Sequence, residues 1–273
     1  MNSNNILEKI FNHKSREIEE RKIHHPAKTL EQKPGFPKKP ISLSGAVQKK
    51  DNTGIIAEFK TRSPSMGSIN EQADVKTVTQ GYVKAGATAL SVLTDSHFFG
   101  GSMENLGLAS ETNDCPILQK DFVMDEYQII EAKAWGADAI LLIAAMLSKE
   151  KIQELSSFAA SLGLETLFEV HRKEELDKLN DHIHIVGVNN RNLKDFSVNQ
   201  ENSVDMVNSI PNGFVRIAES GIESPKQAFN LLNNGFNGLL IGGQFMKHPK
   251  PEEACRDFID QLKVYNQKDK ELK

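Results

Sequence analysis

Eight short, strongly apolar runs punctuate the chain: Ile55–Lys60, Thr88–Thr94, Pro116–Lys120, Ala139–Ala144, Glu165–Glu169, Ile185–Asn189, Phe214–Glu219 and Gly238–Gly242. Their length and composition are those of buried strands. Between them lie stretches with apolar residues at helical spacing: Val75 to Gly86 (with Val75, Val78, Tyr82 and Ala85 on one side), Asp125 to Gly136, and Ser148 to Gly163. Several of these helices stop at a glycine (Gly86, Gly136, Gly163, Gly235), the residue that accepts a left-handed cap. They start near Ser148, Ser203 or Ser224, good N-cap residues.

Strand and helix therefore alternate. Ala85-Gly-Ala-Thr-Ala89 and Trp135-Gly-Ala-Asp-Ala139, with an echo at Asn234-Gly-Phe-Asn-Gly238, recur at the helix-to-strand junction, as an internal repeat of βα units would. Eight such units closed on themselves make an α/β fold, the (β/α)8 barrel, and 273 residues suit one such domain. The expected division is a helical extension over residues 1–54 and a catalytic barrel over residues 55–273. The extension opens with Ile6, Leu7, Ile10, Phe11 and Ile18 at helical spacing and ends in a Pro-rich link. It reads as an amphipathic helix capping the amino-terminal mouth or side of the barrel, with Arg21–His25 on solvated surface.

Polar and charged residues gather at the carboxyl ends of these runs. Glu58, Lys60, Lys120, Glu169, Asn189 and Glu219 each stand at the last residue or two of a run. Buried charges are costly without function, and parallel α/β sheets keep their chemistry at the carboxyl ends of the strands. A ring of ion pairs closing the top of the barrel is the bland alternative, and five polar endings among eight strands weigh against it. Side chains at i and i+2 share a face, so Glu58 and Lys60, or Leu167 and Glu169, can point together into the mouth.

Net charge is −4 with lysines and arginines spread along the chain, which argues against nucleic acid or an anionic membrane as partner. The two cysteines, Cys115 and Cys255, have no metal-type spacing, and the longest apolar run, Ala137–Leu147, is interrupted by Asp138 and far short of a bilayer span. The chain thus reads as a reduced, cytoplasmic protein acting on a small molecule, with no metal and no membrane segment. A monomer is the expectation.

Phosphate recognition must then be local. Glu219-Ser-Gly-Ile222 and Leu240-Ile-Gly-Gly-Gln244 end neighbouring strands in glycine turns that can present backbone N–H groups to an anion, and Ser63, just after the first strand, can add a hydroxyl. Lys60 and Lys120 are candidate general acids, on the expectation that burial or a neighbouring cation eases loss of the proton. Glu169 and Glu219 can abstract or relay protons, and Asn189 can hold a hydroxyl or carbonyl. His97, His171 and His248 lack a partnered acid or metal spacing and read as surface or loop residues.

Taken together, Ile56-Ala-Glu-Phe-Lys-Thr-Arg-Ser-Pro-Ser65, Ser91–Ser102, Leu118-Gln-Lys-Asp-Phe122, Gly136–Ile143, Gly187-Val-Asn-Asn-Arg191 and Glu219-Ser-Gly-Ile222 resemble the indole-3-glycerol-phosphate synthase family, over about residues 6 to 262. The resemblance implies a decarboxylating lyase of tryptophan biosynthesis. It would close an indole ring from 1-(2-carboxyphenylamino)-1-deoxyribulose 5-phosphate with loss of carbon dioxide and water, and without a cofactor. It assigns Lys120 to the ribulose carbonyl, Glu169 to the acid/base work of the dehydration, and Lys60, paired with Glu58, to the acid of that step. Asn189, Glu219 and Ser220 would hold hydroxyls and catalytic side chains, and Arg191 the substrate carboxylate. Ser63, Gly221, Gly242 and Gly243 would form the phosphate site, with Phe99, Phe122, Leu142 and Val188 as walls for the anthranilate ring.

Three positions depart from the family pattern: Gly243-Gln244, Thr61-Arg62 and Asn192. The loop Thr61–Asn70 is expected to act as a lid over bound substrate. Alternative readings are a phosphoribosylanthranilate isomerase-like barrel, which would need a Cys and Asp pair at strand ends, and a non-catalytic phosphometabolite-binding barrel.

Overall fold

The computed structural model describes the backbone of residues 6–191 and 201–272. The apolar runs form eight parallel strands: β1 (Ile55–Phe59), β2 (Ala89–Leu93), β3 (Ile117–Lys120), β4 (Ala139–Ile143), β5 (Glu165–Val170), β6 (Ile185–Asn189), β7 (Val215–Glu219) and β8 (Gly238–Ile241). Each pairs with its sequence neighbours and β8 pairs back onto β1, so the barrel is closed. Closure leaves no unpaired strand edge.

The repeated junction has a physical cause. Its polar residue reaches back to the strand before it: Thr88 Oγ1 accepts from the Gly54 N–H at 2.9 Å, an Asp138 carboxylate oxygen from the Ile117 N–H at 2.8 Å, and Asn237 Oδ1 from the Arg216 N–H at 2.8 Å. In each case a backbone N–H at or beside a strand's start is satisfied by the unit that follows. The helices between strands are capped as their sequences indicate. Asp74 accepts from the Thr77 N–H at 2.8 Å at the start of Val75–Ala85, and Gly86 ends that helix at φ 102°. Pro225–Asn233 starts on a capping box of Ser224 and Gln227. The helix after β6 spans Glu201–Val207, beginning ahead of Ser203.

Alternation along each strand divides its side chains between two cores. Ile56, Leu118, Leu141, Leu167, Ile185, Ile217 and Leu240 fill the barrel interior. Ala57, Leu90, Leu142, Phe168, Val188 and Ile241 face outward into the shell beneath the helices. Each such side chain removed from water contributes about 1.5–3 kcal/mol.

The amino-terminal extension divides between the two expected positions, and reaches further than expected. The short helix Leu43–Gln48 closes the amino end, its Leu43 and Val47 joining the interior cluster. The long helix α1 (Ile6–His24) runs along the side of the barrel, and its Ile6, Leu7 and Ile10 reach the cavity at the carboxyl mouth. At its basic end Ile23, His24 and His25 are exposed, as expected, whereas Arg21 pairs with Glu17 and with Glu131, and Lys22 pairs with Asp125 at 2.8 Å. Midway, Lys14 is fully buried, its Nζ lying 2.9 Å from Glu17, 2.8 Å from Asp95 and 3.1 Å from Asp121. No helix among the described residues is long and apolar enough to cross a membrane.

Candidate active site

One cavity opens at the carboxyl mouth, and strand parity explains who lines it. Glu58, Lys120, Glu169, Asn189 and Glu219 are the inward residues nearest the end of β1, β3, β5, β6 and β7, and all five reach that cavity with Lys60. Lys120 is the hub: its ammonium sits 3.1 Å from Glu169 Oε2 and 3.4 Å from Glu219 Oε2. Lys60 pairs with Glu58 at 2.5 Å on the adjoining side.

These groups set one another's charge. Burial alone would strip the Lys120 proton, but Glu169, Glu219 and Glu58 outweigh it and hold the ammonium more firmly than usual. The expected easing of proton loss at Lys120 is therefore reversed: carboxylates, not cations, crowd it. Burial also opposes a charge on Glu169, yet Lys120, His171 and hydrogen bonds from Lys120 and Asn189 prevail and keep it ionised far into the acid range. Glu219 goes the other way. Its burial, with the negative charges of Glu169 and Glu58 nearby, exceeds the pull of Lys120 and pushes it up to about 8. Two carboxyls on one lysine thus divide their roles, one charged and one protonated.

Glycines make room for this cluster. A Cβ at Gly187 on β6 would collide with the Glu219 carboxylate and the Leu167 side chain, and one at Gly242 would collide with the Glu58 carboxylate. At the end of β7 the chain turns through Ser220 at φ 67° and Gly221 at φ 72°; Ser220 is the one non-glycine residue with positive φ among those described. Such strain persists where the surroundings enforce it, and here the Asn190 amide donates to the Ser220 carbonyl at 3.1 Å. Ser63, Gly221, Gly242 and Gly243 converge on the same side of the cavity, beside the added polar groups of Gln244 and Lys247. Arg191 lines the cavity as well, its backbone N–H donating to Asn189 Oδ1 at 2.9 Å.

Phe99 and Phe122 form an aromatic wall with ring centroids 5.9 Å apart. Leu142 and Val188 do not join it. Both point outward into the helix-facing core; on β4 the inward residues that line the cavity are Leu141 and Ile143. Every residue of β4 is apolar, so its parity could not be read from composition. For Val188 the neighbouring inward Asn189 carries the signal that was missed.

His97 and His248 are exposed, as expected. His171 is not a surface residue: its side chain is 12 % exposed and Nε2 lies 3.5 Å from Glu169 Oε1. Also unforeseen is the anchorage behind Lys120. Asp121, bound to Lys14, accepts from Thr94 Oγ1 at 2.5 Å and from the Phe122 N–H at 2.7 Å. Asp95, bound to the same lysine, caps the turn that carries Phe98 and Phe99. The segment Thr61–Asn70, expected to act as a lid, is tied down at its base, with Arg62 donating to the Ser96 and His97 carbonyls and Thr61 to that of Gly100, while Met66 is exposed. Asn192 lies outside the described residues. Cys115 and Cys255 are both buried, their thiols pushed up to about 12 by burial, and neither is at the mouth, so no Cys and Asp pair exists there.

A closed (β/α)8 barrel with a lysine held between unlike carboxyls, beside glycine turns, is the architecture of an acid–base enzyme acting at the strands' carboxyl ends. Comparison with known proteins gives the family. Residues 7–258 match the family model described as indole-3-glycerol phosphate synthase. The chain is 48 % identical to the indole-3-glycerol phosphate synthase of Bacteroides thetaiotaomicron, over 80 % of this chain and 84 % of that protein. It is 42 % identical to that of Campylobacter jejuni, over 93 % of this chain and the whole of that one. Among solved structures, a tryptophan synthase alpha-subunit of Pyrococcus furiosus matches with a TM-score of 0.57 at 16 % identity, covering 77 % of this chain and 97 % of its own, a likeness of fold alone. This chain belongs to the indole-3-glycerol phosphate synthase family, lyases of tryptophan biosynthesis that close an indole ring with decarboxylation.

Proposed function

We propose that the cluster around Lys120 carries out that ring closure on 1-(2-carboxyphenylamino)-1-deoxyribulose 5-phosphate, with an extension of residues 1–54 and a barrel of residues 55–273 working as one catalytic unit. The observation that carries the reading is the ammonium of Lys120 fixed 3.1 Å from Glu169 and 3.4 Å from Glu219 at the mouth of the barrel. Attack of the aromatic ring carbon on the ribulose carbonyl puts negative charge on the carbonyl oxygen. A cation already desolvated and aimed at that position stabilises it without reorganising solvent. Lys120 then supplies the proton that makes the oxygen a hydroxyl, and departure of carbon dioxide restores aromaticity.

Dehydration follows. Lys60, paired with Glu58, gives its proton to the leaving hydroxide, and Glu169 on the far side of the mouth takes the proton that the forming double bond releases. Asn189, Glu219 and Ser220 hold the ribulose hydroxyls and the catalytic side chains. Arg191 receives the substrate carboxylate. Phosphate rests on Ser63 and the N–H groups of Gly221, Gly242 and Gly243, and the anthranilate ring lies against Phe99 and Phe122, with Leu141 and Ile143 beneath. A cytoplasmic monomer is part of this reading, its reduced compartment supported by two free, buried thiols.

The test is direct. Purified protein should turn the substrate into a fluorescent indole product without added metal or nucleotide, and Lys120→Met should lower turnover by ~10² or more. Wild-type turnover in Lys120→Met, or activity abolished by EDTA, would contradict the mechanism.

A further inference from the structure

We propose that His171 is a positioning residue for Glu169, donating from Nε2 to the carboxylate oxygen that Lys120 does not use. The inference rests on Glu169 being the acid/base carboxylate. Glu169 and His171 are two residues apart at the end of β5, so alternation sends both side chains to the mouth. The oxygens of Glu169 are divided between neighbours: Oε2 lies 3.1 Å from Lys120 Nζ, and Oε1 lies 3.5 Å from His171 Nε2. Both imidazole nitrogens are buried and make no hydrogen bond within the chain. A buried polar ring left in that condition calls for a partner or a task.

The backbone under the ring is fixed. Glu175 accepts from the His171 N–H at 2.7 Å and from the Arg172 N–H at 3.2 Å, and Lys178, in the same short helix, donates to the carbonyls of Ala144 and Leu147 at 2.8 and 2.9 Å. This turn therefore holds the imidazole against Glu169 rather than leaving it to sample solvent. Catalytic hydrogen bonds in empty sites are commonly long and tighten when substrate binds; closing this one to a normal length takes a shift of about 0.5 Å. With Oε1 so engaged, the carboxylate cannot swing about its last torsion, and Oε2 stays directed at Lys120 and the reacting carbons.

The experiment is a cycle of variants read in single-turnover and steady-state assays with the fluorescent product. His171→Ala should lower kcat by ~10-fold to 10²-fold, the loss that a misplaced catalytic group produces, with KM nearly unchanged. His171→Gln, which offers an N–H at similar reach, should recover most of it, whereas a packing role would favour an apolar replacement such as His171→Leu. In a Glu169→Gln background the same His171→Ala change should cost no further rate. Unimpaired kcat in His171→Ala, rescue by Leu rather than Gln, or additive losses in the double variant would each overturn the proposal. If Glu169→Gln itself turned over normally, the reading of Glu169 would fall. Impairment of Glu169→Gln with an unimpaired His171→Ala would remove His171 alone.

Discussion

Replacing Glu169 by glutamine removes one charge from the centre of the site while keeping its shape, and the geometry indicates how the rest responds. Lys120 loses an ionised partner at 3.1 Å but keeps Glu219 at 3.4 Å. At an effective dielectric of ~20, a full charge at either distance attracts the ammonium by about 5 kcal/mol, so the two positions are nearly interchangeable for the cation. Glu219 is protonated in the native cluster partly because Glu169 repels its charge. With that repulsion gone, Glu219 should ionise and take over the pairing. Fold stability should then change by about 1 kcal/mol or less, a melting shift of roughly 2–4 °C for a chain of this size. Turnover should fall by ~10² or more, because the replacement carboxylate sits on the wrong strand to remove the proton in dehydration. Thermal unfolding and the fluorescence assay measure the two quantities separately. Turnover within threefold of wild type, or a collapse in melting temperature of more than ~10 °C, would refute this reasoning.

Glu219→Gln probes the other carboxyl by linkage. Its folded-state value is raised from 4.5 to about 8, so the native state holds a proton that the unfolded chain releases, and this group's stabilisation is lost as pH rises across that window. Denaturant titrations at pH 5 and pH 8 should therefore show Glu219→Gln gaining on wild type at the higher pH, and a constant difference would contradict the assignment. Gly187→Ala should drive its methyl into the Glu219 carboxylate and Leu167, costing ~1–3 kcal/mol of stability and reducing kcat, read by melting and by turnover. Lys14→Met leaves Asp95 and Asp121 buried without their cation, and should destabilise by ~3–5 kcal/mol in equilibrium unfolding. An unchanged unfolding midpoint for Lys14→Met would show that the two aspartates find other partners.

By itself the sequence determined the barrel, since apolar runs and helical stretches alternate with caps at their ends, and each such signal is local. It also determined most of the chemistry. A charge at the end of an apolar run stands out wherever the strand lies, and i, i+2 parity carries Glu58, Lys60, Lys120, Glu169 and Glu219 into one mouth. What tertiary structure decided was whatever depends on neighbours distant along the chain. The uniformly apolar β4 has no polar marker of parity, so only closure of the barrel sets Leu141 and Ile143 inward and Leu142 outward. Lys14 looks like one more charge on an amphipathic helix until folding brings Asp95 and Asp121 to it from the ends of two strands. The opposite shifts of Glu169 and Glu219 likewise exist only in the assembled mouth, because identical side chains there differ in burial and in the neighbours that folding brings to them: Lys120, His171 and Asn189 at the one, Glu58 and the Glu169 charge at the other.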